Sequence, residues 1–387
     1  MGKSTSDEEI LEYIDGQILQ QELCRHLSVW EKIEIQKQVF HSLRGLDVLQ
    51  ELVENKRITE VMINGPKDIF VEEDGRIRRW EKQFVSKEKL EDVVQQIVSR
   101  ANRIVNEANP IVDTRLADGS RVNVVLAPVA LNGPIVTIRK FPEKAMDMEQ
   151  LLSIGSLTLE AAHFLEKLVK ARYNLFISGG TGSGKTTFLN ILSNYIPIDE
   201  RIITIEDSAE LQIKNIPNLV KLETRNANVE GKNAITIRDL IKSALRMRPD
   251  RIVVGEVRDA AAIDMLTALN TGHDGSLSTG HANSPEDMLS RLETLVLMGM
   301  DIPIMAVRRQ IASAIEIIVH LGRLRDKSRK VLQIVEVLGM QDGEYVTRTL
   351  YEFVEQGEDE NGRVIGELQP TEYTLKNMEK LQRAGIA

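Results

Sequence analysis

The sequence predicts two α/β domains behind a short helical segment, the second domain built on a parallel sheet. Three observations carry this expectation. Four continuous apolar runs, NLFISG, RIITIE, LVKLET and RIVVGE, alternate with helix-like segments in the second half of the chain, which is the pattern of parallel strands covered on both faces. Shorter strand-like runs broken by turn signals fill the region from Ile58 to about residue 140. At 387 residues the chain also exceeds one ordinary core.

Composition narrows the class. Hydrophobic residues make up 42% and charged residues 28%, the balance of a soluble globular protein. Aromatics are 4%, so the core must be aliphatic. Forty-nine basic residues against 58 acidic give a net charge of −9, which argues against a dedicated nucleic-acid binder with its basic surplus. Cys24 is the only cysteine, so neither an internal disulfide nor a cysteine metal cluster is expected, and a reducing compartment fits. The start, MGKSTSDEEI, lacks the apolar core of a secretory signal, although Gly2 and Ser6 match the short, chance-prone myristoylation pattern. No stretch approaches 18 apolar residues. A cytoplasmic chain is expected, one that docks on a membrane machine without crossing the membrane.

Taken in order, residues 1–56 read as helical, with apolar residues three and four apart. Residues 57–140 read as a smaller mixed α/β domain. ITEVMIN, DIFVEED and RIRRWEKQF are separated by Asn64-Gly65-Pro66 and Asp74-Gly75; a helix fits Lys87 to Asn102; and RLADGSRVNVVLAPV and PIVTIRKF follow, joined by Asn132-Gly133-Pro134. Residues 141–152 lack alternation and read as a linker. Residues 153–387 carry the parallel-sheet pattern, and EQGEDENG near Glu355 reads as a surface loop.

Within that second domain, NLFISGGTGSGKTTFLNIL places an apolar strand, a glycine-rich turn and an apolar-periodic helix in series. The spacing Gly179-(four residues)-Gly184-Lys185-Thr186 is that of a phosphate-binding loop. Gly179, Gly180, Thr181, Gly182, Ser183, Gly184, Lys185, Thr186 and Thr187 are the expected nucleotide-binding residues. The glycines let backbone N–H groups surround the phosphates, and the helix start adds partial positive charge. Lys185 is expected on the β- and γ-phosphates of ATP, and the Thr186 hydroxyl on Mg²⁺.

Three further clusters lie downstream. RIITIEDSAEL ends a strand with Glu206, Asp207 and Glu210. A carboxylate there can deprotonate an attacking water, or these acids can simply cap the following segment. RPDRIVVGEVRD ends a strand at Glu256, flanked by Arg251, Arg258 and Asp259. An acid at a strand tip is where such enzymes hold Mg²⁺, and a surface ion pair is the plainer alternative. TGHDGSLSTGHANS places His273 and His281 in what reads as a loop after a helix. No zinc signature fits them, which leaves γ-phosphate contact or a structural role.

In this order the motifs resemble the ATPases of type II and type IV secretion and of type IV pili. TRLADGSRVNVVLAPVALNGPIVTIRKF is similar to the branch called CpaF, the motor of tight-adherence (Flp) pili. The resemblance covers about Ile58 to Leu350. It implies a RecA-like ATPase domain over residues 153–387 and a homo-hexameric ring with nucleotide between domains. By position, Glu206 is implied as catalytic base, Glu256 as the acid near Mg²⁺, His281 as γ-phosphate sensor, and Arg115, Arg121 and Arg139 as arginines delivered from the N-terminal domain or a neighbour. It also implies peripheral association with an inner-membrane platform protein, at the cytoplasmic face; the net charge of −9 and the few aromatics lead to the expectation of no nucleic-acid partner. The four-cysteine zinc element of the GspE branch is absent. A RecA-like nucleic-acid motor and a low-turnover nucleotide switch are the rival readings.

Overall fold

A computed structural model describes residues 6–73, 75–141, 146–227 and 232–386. The chain divides into two compact units, Met1–Lys144 and Ala145–Ala387. The myristoylation pattern at Gly2 lies outside the described residues.

The helices of the first unit are α1 (Asp7–Gln20), α2 (Val29–Arg44), α3 (Val48–Glu54) and α4 (Lys87–Arg100). Their starts are set by side-chain caps. Ser6 and Ser28 accept from the third helical amide while Glu9 and Glu31 reach back to the serine amides, which satisfies two otherwise orphaned donors at each end. Strands β1 (Ile58–Asn64), β2 (Ile69–Glu73), β3 (Arg76–Arg79), β4 (Ile111–Arg115), β5 (Arg121–Val125) and β6 (Ile135–Arg139) pair antiparallel in the order β3-β2-β1-β6-β5-β4. Alternate residues Val61, Ile63, Val122, Val124, Val136 and Ile138 share one core with Leu90, Val93, Val94, Ile97 and Val98 of α4. Alternation by twos on the strands meets spacing by threes and fours on the helix. The Lys89 ammonium donates to the Ser42 carbonyl at 2.7 Å and Gln96 to that of Arg44 at 3.3 Å, tying the end of α2 to α4.

The second unit contains α5 (Met148–Ser153), α6 (Leu159–Lys170), α7 (Lys185–Ser193), α8 (Ile237–Ala244), α9 (Ala261–Leu269), α10 (Pro285–Leu297), α11 (Ile304–Ala314) and α12 (Glu379–Arg383). Its strands are β7 (Leu175–Gly179), β8 (Ile202–Glu206), β9 (Leu219–Glu223), β10 (Arg251–Val254), β11 (Leu277–His281), β12 (Ile317–Arg323), β13 (Arg329–Gln341), β14 (Glu344–Glu358) and β15 (Val364–Pro370). They form one sheet in the order β15-β14-β13-β12-β7-β11-β10-β8-β9. Strands β12 through β9 in that order run parallel, and β13, β14 and β15 add on antiparallel.

Successive residues of β7 enter opposite cores. Ile177 packs with Leu165, Leu168, Leu189 and Leu192 of α6 and α7, while Phe176 packs with Ile241, Leu266, Leu292 and Ile311 of α8 to α11. Burial on both faces is why these strands carry no polar alternation. From β7 the chain crosses over to β8 and later returns to lay β11 and β12 on either side of β7. That reversal opens a crevice beyond the carboxyl ends of the strands, where ligands of open α/β sheets bind.

Three local expectations are corrected. RLADGSRV is not the beginning of a strand: β4 ends at Arg115, Gly119 (φ +90°) turns the chain, and β5 starts at Arg121. The half-exposed IVDTR of β4 lacks the buried alternation that would reveal it. The stretch 141–152, of which 142–145 lie outside the described residues, holds the division between the two units and also the start of α5, capped by Asp147 and Gln150. LSTGH is a central strand and not a loop. Its Thr279 hydroxyl donates to the Gly255 carbonyl at 2.7 Å, while the buried Ser278 hydroxyl has no hydrogen-bond partner among the described residues. A Cβ at Gly280 would sit 2.9–3.0 Å from Met288 and Phe176, so a larger residue there would make those side chains shift. EQGE belongs to β14, and only Asp359 to Gly362 form the turn. The antiparallel strands β13 to β15 were not anticipated, because their partly exposed faces give no continuous apolar signal.

Candidate nucleotide site

The glycine-rich turn joins the end of β7 to the start of α7. Gly179 has φ +154°, and a Cβ there would lie 2.3 Å from the Leu321 carbonyl oxygen and 2.7 Å from the Ser183 hydroxyl. Gly184 sits at the helix cap in the left-handed region, φ +95°. The Ser183 hydroxyl braces the turn by donating to the Gly180 carbonyl at 2.9 Å. Lys185 is buried at 7% exposure, and its ammonium donates to the carbonyls of Gly179 (3.1 Å) and Gly180 (2.9 Å). Gly180, Thr181, Gly182 and Thr187 are exposed, and Thr186 is half-buried at the helix start, where amides and dipole favour an anion.

Strand register delivers the other groups to this place. His281 pairs with Gly179 at the last step of the β11–β7 ladder. Its Nδ1 lies 3.2 Å from the Lys185 ammonium, and its Nε2 lies 2.8 Å from Glu256 Oε1, close enough for attraction though off the line of an aligned hydrogen bond. Glu256 Oε2 accepts from Arg258 at 2.7 Å, and Arg258 stands 3.5 Å from Asp207. A continuous line, Lys185–His281–Glu256–Arg258–Asp207, therefore joins all four sequence motifs. Burial, with Lys185, Arg258 and Arg291, holds His281 below its usual range against the pull of Glu256. A neutral ring that accepts at Nδ1 and carries its proton on Nε2 matches both neighbours.

Glu206 ends β8 against Gly255, where a Cβ would be 3.0 Å from its Cγ. Its Oε1 accepts from the amides of Glu210 (2.9 Å) and Leu211 (3.0 Å), so it does cap the following loop. Its Oε2 is buried and has no hydrogen-bond partner among the described residues. Burial pushes this carboxyl up to about 7; the loop amides and Lys221 oppose that, while Glu210 adds to it. It is thus a loop cap with one oxygen to spare.

His273 does not join the site. It precedes β11 while His281 ends it, and its ring contacts the Ala268 carbonyl at 3.2 Å. In the first unit, Arg115, Arg121 and Arg139 stand abreast, since Arg115 pairs with Arg121 on β4–β5 and Arg121 with Arg139 on β5–β6. They lie on the face opposite Val122, Val124 and Ile138. The row continues onto β1, where Glu60 pairs across from Arg139 and the Arg139 charge pulls against the burial that raises the Glu60 carboxyl.

Two residues near the turn escaped the sequence reading. The buried ring of His320 on β12 lies 2.8 Å from the Ser178 hydroxyl on β7, and Arg329 on β13 donates to the Gly182 carbonyl at 2.8 Å. A lone histidine in an apolar run and a lysine- and arginine-rich hairpin carry no motif. Their proximity is a product of strand order alone.

The donors suit Mg²⁺. Thr186, Glu206 and Glu256 offer hard oxygens, and among the described residues no three His, Cys, Asp or Glu side chains converge on one point. Mg²⁺ is held by one or two carboxylates together with phosphate oxygens and water, without an all-protein cage. Among the described residues no helix is long and apolar enough to cross a membrane.

Comparison with known proteins identifies the family. The family model described as "Type II/IV secretion system protein" matches residues 42–378. A Mycobacterium tuberculosis protein provisionally named for conjugal transfer is 37% identical over 316 residues, covering 80% of this chain and 89% of its own. The type IV secretion system protein VirB11 of Brucella suis is 31% identical over 306 residues, 71% and 84% of the two chains. The Legionella pneumophila ATPase DotB matches in fold with a TM-score of 0.52 at 21% identity, over 77% of this chain and 81% of that one. The pilus retraction motor PilT gives 0.52 at 19% identity, over 88% and 87%. The chain belongs to the type II/IV secretion system ATPase family.

Proposed function

We propose that the protein hydrolyses ATP at this site as a hexameric motor, and that it serves the CpaF (tight-adherence pilus) branch of the family. The observation that carries the chemistry is the unbroken line from Lys185 through His281 and Glu256 to Arg258. It sets a cation, a neutral imidazole and a carboxylate beside the phosphate turn. ATP phosphates would draw the Lys185 ammonium off the Gly179 and Gly180 carbonyls, since a charge-assisted bond is about twice as strong as a neutral one. Glu206 Oε2 takes the proton of the attacking water as its oxygen bonds to the γ-phosphorus. The bond to the β–γ bridging oxygen breaks, and ADP leaves with that oxygen. His281 would report γ-phosphate through its contact with Lys185. Mg²⁺, held by Thr186 and Glu256 with the phosphates, supplies charge neutralisation on the β and γ oxygens.

The branch assignment rests on TRLADGSRVNVVLAPVALNGPIVTIRKF, which spans β5, β6 and the arginine row. In this reading the row meets the γ-phosphate through domain closure or from a neighbouring subunit, and an arginine so delivered contributes about 10³–10⁵ in rate. The ring docks on an inner-membrane platform protein from the cytoplasmic face and does no work on nucleic acid.

Mixing two variants tests the ring and the chemistry together. Lys185→Ala keeps its arginines, and Arg121→Ala keeps its phosphate turn. Each alone should release little phosphate from ATP, and mixed rings should recover activity. No recovery places Arg121 within its own chain. Full activity of Arg121→Ala alone removes it from the reaction, and an intact chain that releases no phosphate ends the hydrolase reading.

A further inference from the structure

The hairpin between β12 and β13 is basic, and its two central arginines have unlike surroundings. Arg325 is paired with Glu355 at 2.7 Å and also with Glu358. Arg329 has no carboxylate partner among the described residues. Its Nε donates to the Gly182 carbonyl at 2.8 Å, and its Cδ lies 3.6 Å from where a Cβ of Gly184 would be. The hairpin that presents it is fastened to the unit: the Ser156 hydroxyl donates to the Arg329 carbonyl at 2.8 Å, and the neighbouring Lys330 donates to the carbonyls of Ile154 and Gly155 at 3.1 and 2.6 Å. Two cations thus rest on carbonyls of one turn, Lys185 on Gly179 and Gly180 from beneath the helix start, Arg329 on Gly182 from the hairpin.

We propose that Arg329 is a nucleotide-binding residue, one that leaves the Gly182 carbonyl to hold the phosphates of the nucleotide bound in its own chain. The inference rests on the nucleotide reading of the site. A guanidinium held only by a neutral carbonyl gains from a phosphate, whose oxygens match its planar fork. Arg329 belongs to the same compact unit as the phosphate turn, so its contribution requires neither closure of the first unit nor a neighbour. It therefore acts on ADP as well as ATP, unlike the Arg115, Arg121 and Arg139 row. An interaction made equally before and during reaction appears in binding and KM.

The test is binding of a fluorescent ADP to the full chain and to Arg329→Ala, Arg329→Gln, Arg329→Lys and Lys185→Ala, with melting temperatures taken without nucleotide. Arg329→Gln keeps a donor for the Gly182 carbonyl and loses the charge. We expect Arg329→Ala and Arg329→Gln to weaken ADP about tenfold, as loss of a charged hydrogen bond does, with KM for ATP rising by the same factor. Arg329→Lys should restore part of the affinity, and all three should melt with the parent. ADP binding by Arg329→Gln at the parental affinity would reduce Arg329 to a brace of the loop and overturn the proposal while leaving the phosphate turn intact. If Lys185→Ala also binds ADP like the parent, the nucleotide reading falls and takes this inference with it.

Discussion

The two ends of β10 carry the same kinds of charged residue and use them differently. At its start Arg251 is fully buried, with Glu200 oxygens at 2.5 and 2.8 Å and the carbonyls of Val169 and Gly275 at 2.6 and 3.2 Å. Burial alone would raise the Glu200 carboxyl, but Arg251 and Arg172 hold it below the usual range. Just past the other end, the Glu256 and Arg258 side chains are 18% and 54% exposed, and their pair leans on a histidine that also faces Lys185. Beside them Glu206 keeps a buried oxygen without a partner. An ion pair satisfied on all sides belongs to the fold. One with polar capacity left over, beside a turn built for phosphate, belongs to the chemistry.

The largest effects should separate the two ends completely. Glu200→Gln strips the charge partner from a buried guanidinium, which costs about 3–5 kcal/mol and should lower the melting temperature by roughly 10 °C. Lys185→Ala should leave melting near the parental value and abolish phosphate release. If Glu200→Gln melts normally while Lys185→Ala unfolds, the assignment of the two ends is reversed.

A smaller effect tests the exposed pair. Glu256→Gln breaks the contact with Arg258, but solvent screens that pair, so the stability change should stay within about 1 kcal/mol. Hydrolysis should fall, and raising Mg²⁺ should recover part of it if Glu256 helps to hold the ion. A melting loss as large as that of Glu200→Gln would mark Glu256 as structural.

What could be read from the sequence follows the same division. The phosphate turn was legible because strand, glycines, lysine and helix are contiguous from Asn174 to Leu192. Glu206 and Glu256 were legible because each ends an apolar run, and on a parallel sheet all such runs end on one side. Strand β11 was not, since LSTGH has no apolar run and owes its buried place to distant segments, the Gly255 carbonyl that accepts from Thr279 and the Met288 and Phe176 side chains that close on Gly280. That error put His273 and His281 together when a strand separates them. Arg115, Arg121 and Arg139 were chosen by resemblance; their cross-strand alignment depends on register, which residue spacing does not reveal. Arg329 lies 147 residues from Gly182 in sequence and meets it only because β12 pairs with β7.

The finest test lies at Glu206, where fold and chemistry share one side chain. Its carboxyl is pushed from 4.5 up to about 7, chiefly by burial. The folded chain therefore binds a proton between those pH values after the unfolded chain has released its own. The contribution of this carboxyl to stability should be full below about 4.5, fall as pH rises to about 7, and stay level above, a loss of about 3 kcal/mol at most. Glu206→Gln keeps an acceptor for the Glu210 and Leu211 amides and has no charge to bury. It should match the parent near pH 4.5 and exceed it in melting temperature at pH 8, while its hydrolysis falls by roughly 10²-fold or more. In the parent, the ionised base grows from about a tenth to about nine-tenths between pH 6 and 8, so phosphate release should rise about tenfold over that interval. A stability difference that does not change with pH would mean Glu206 is ionised throughout and serves only its loop. A flat rate from pH 6 to 8, with the stability difference present, would keep the buried proton and move the base to Glu256.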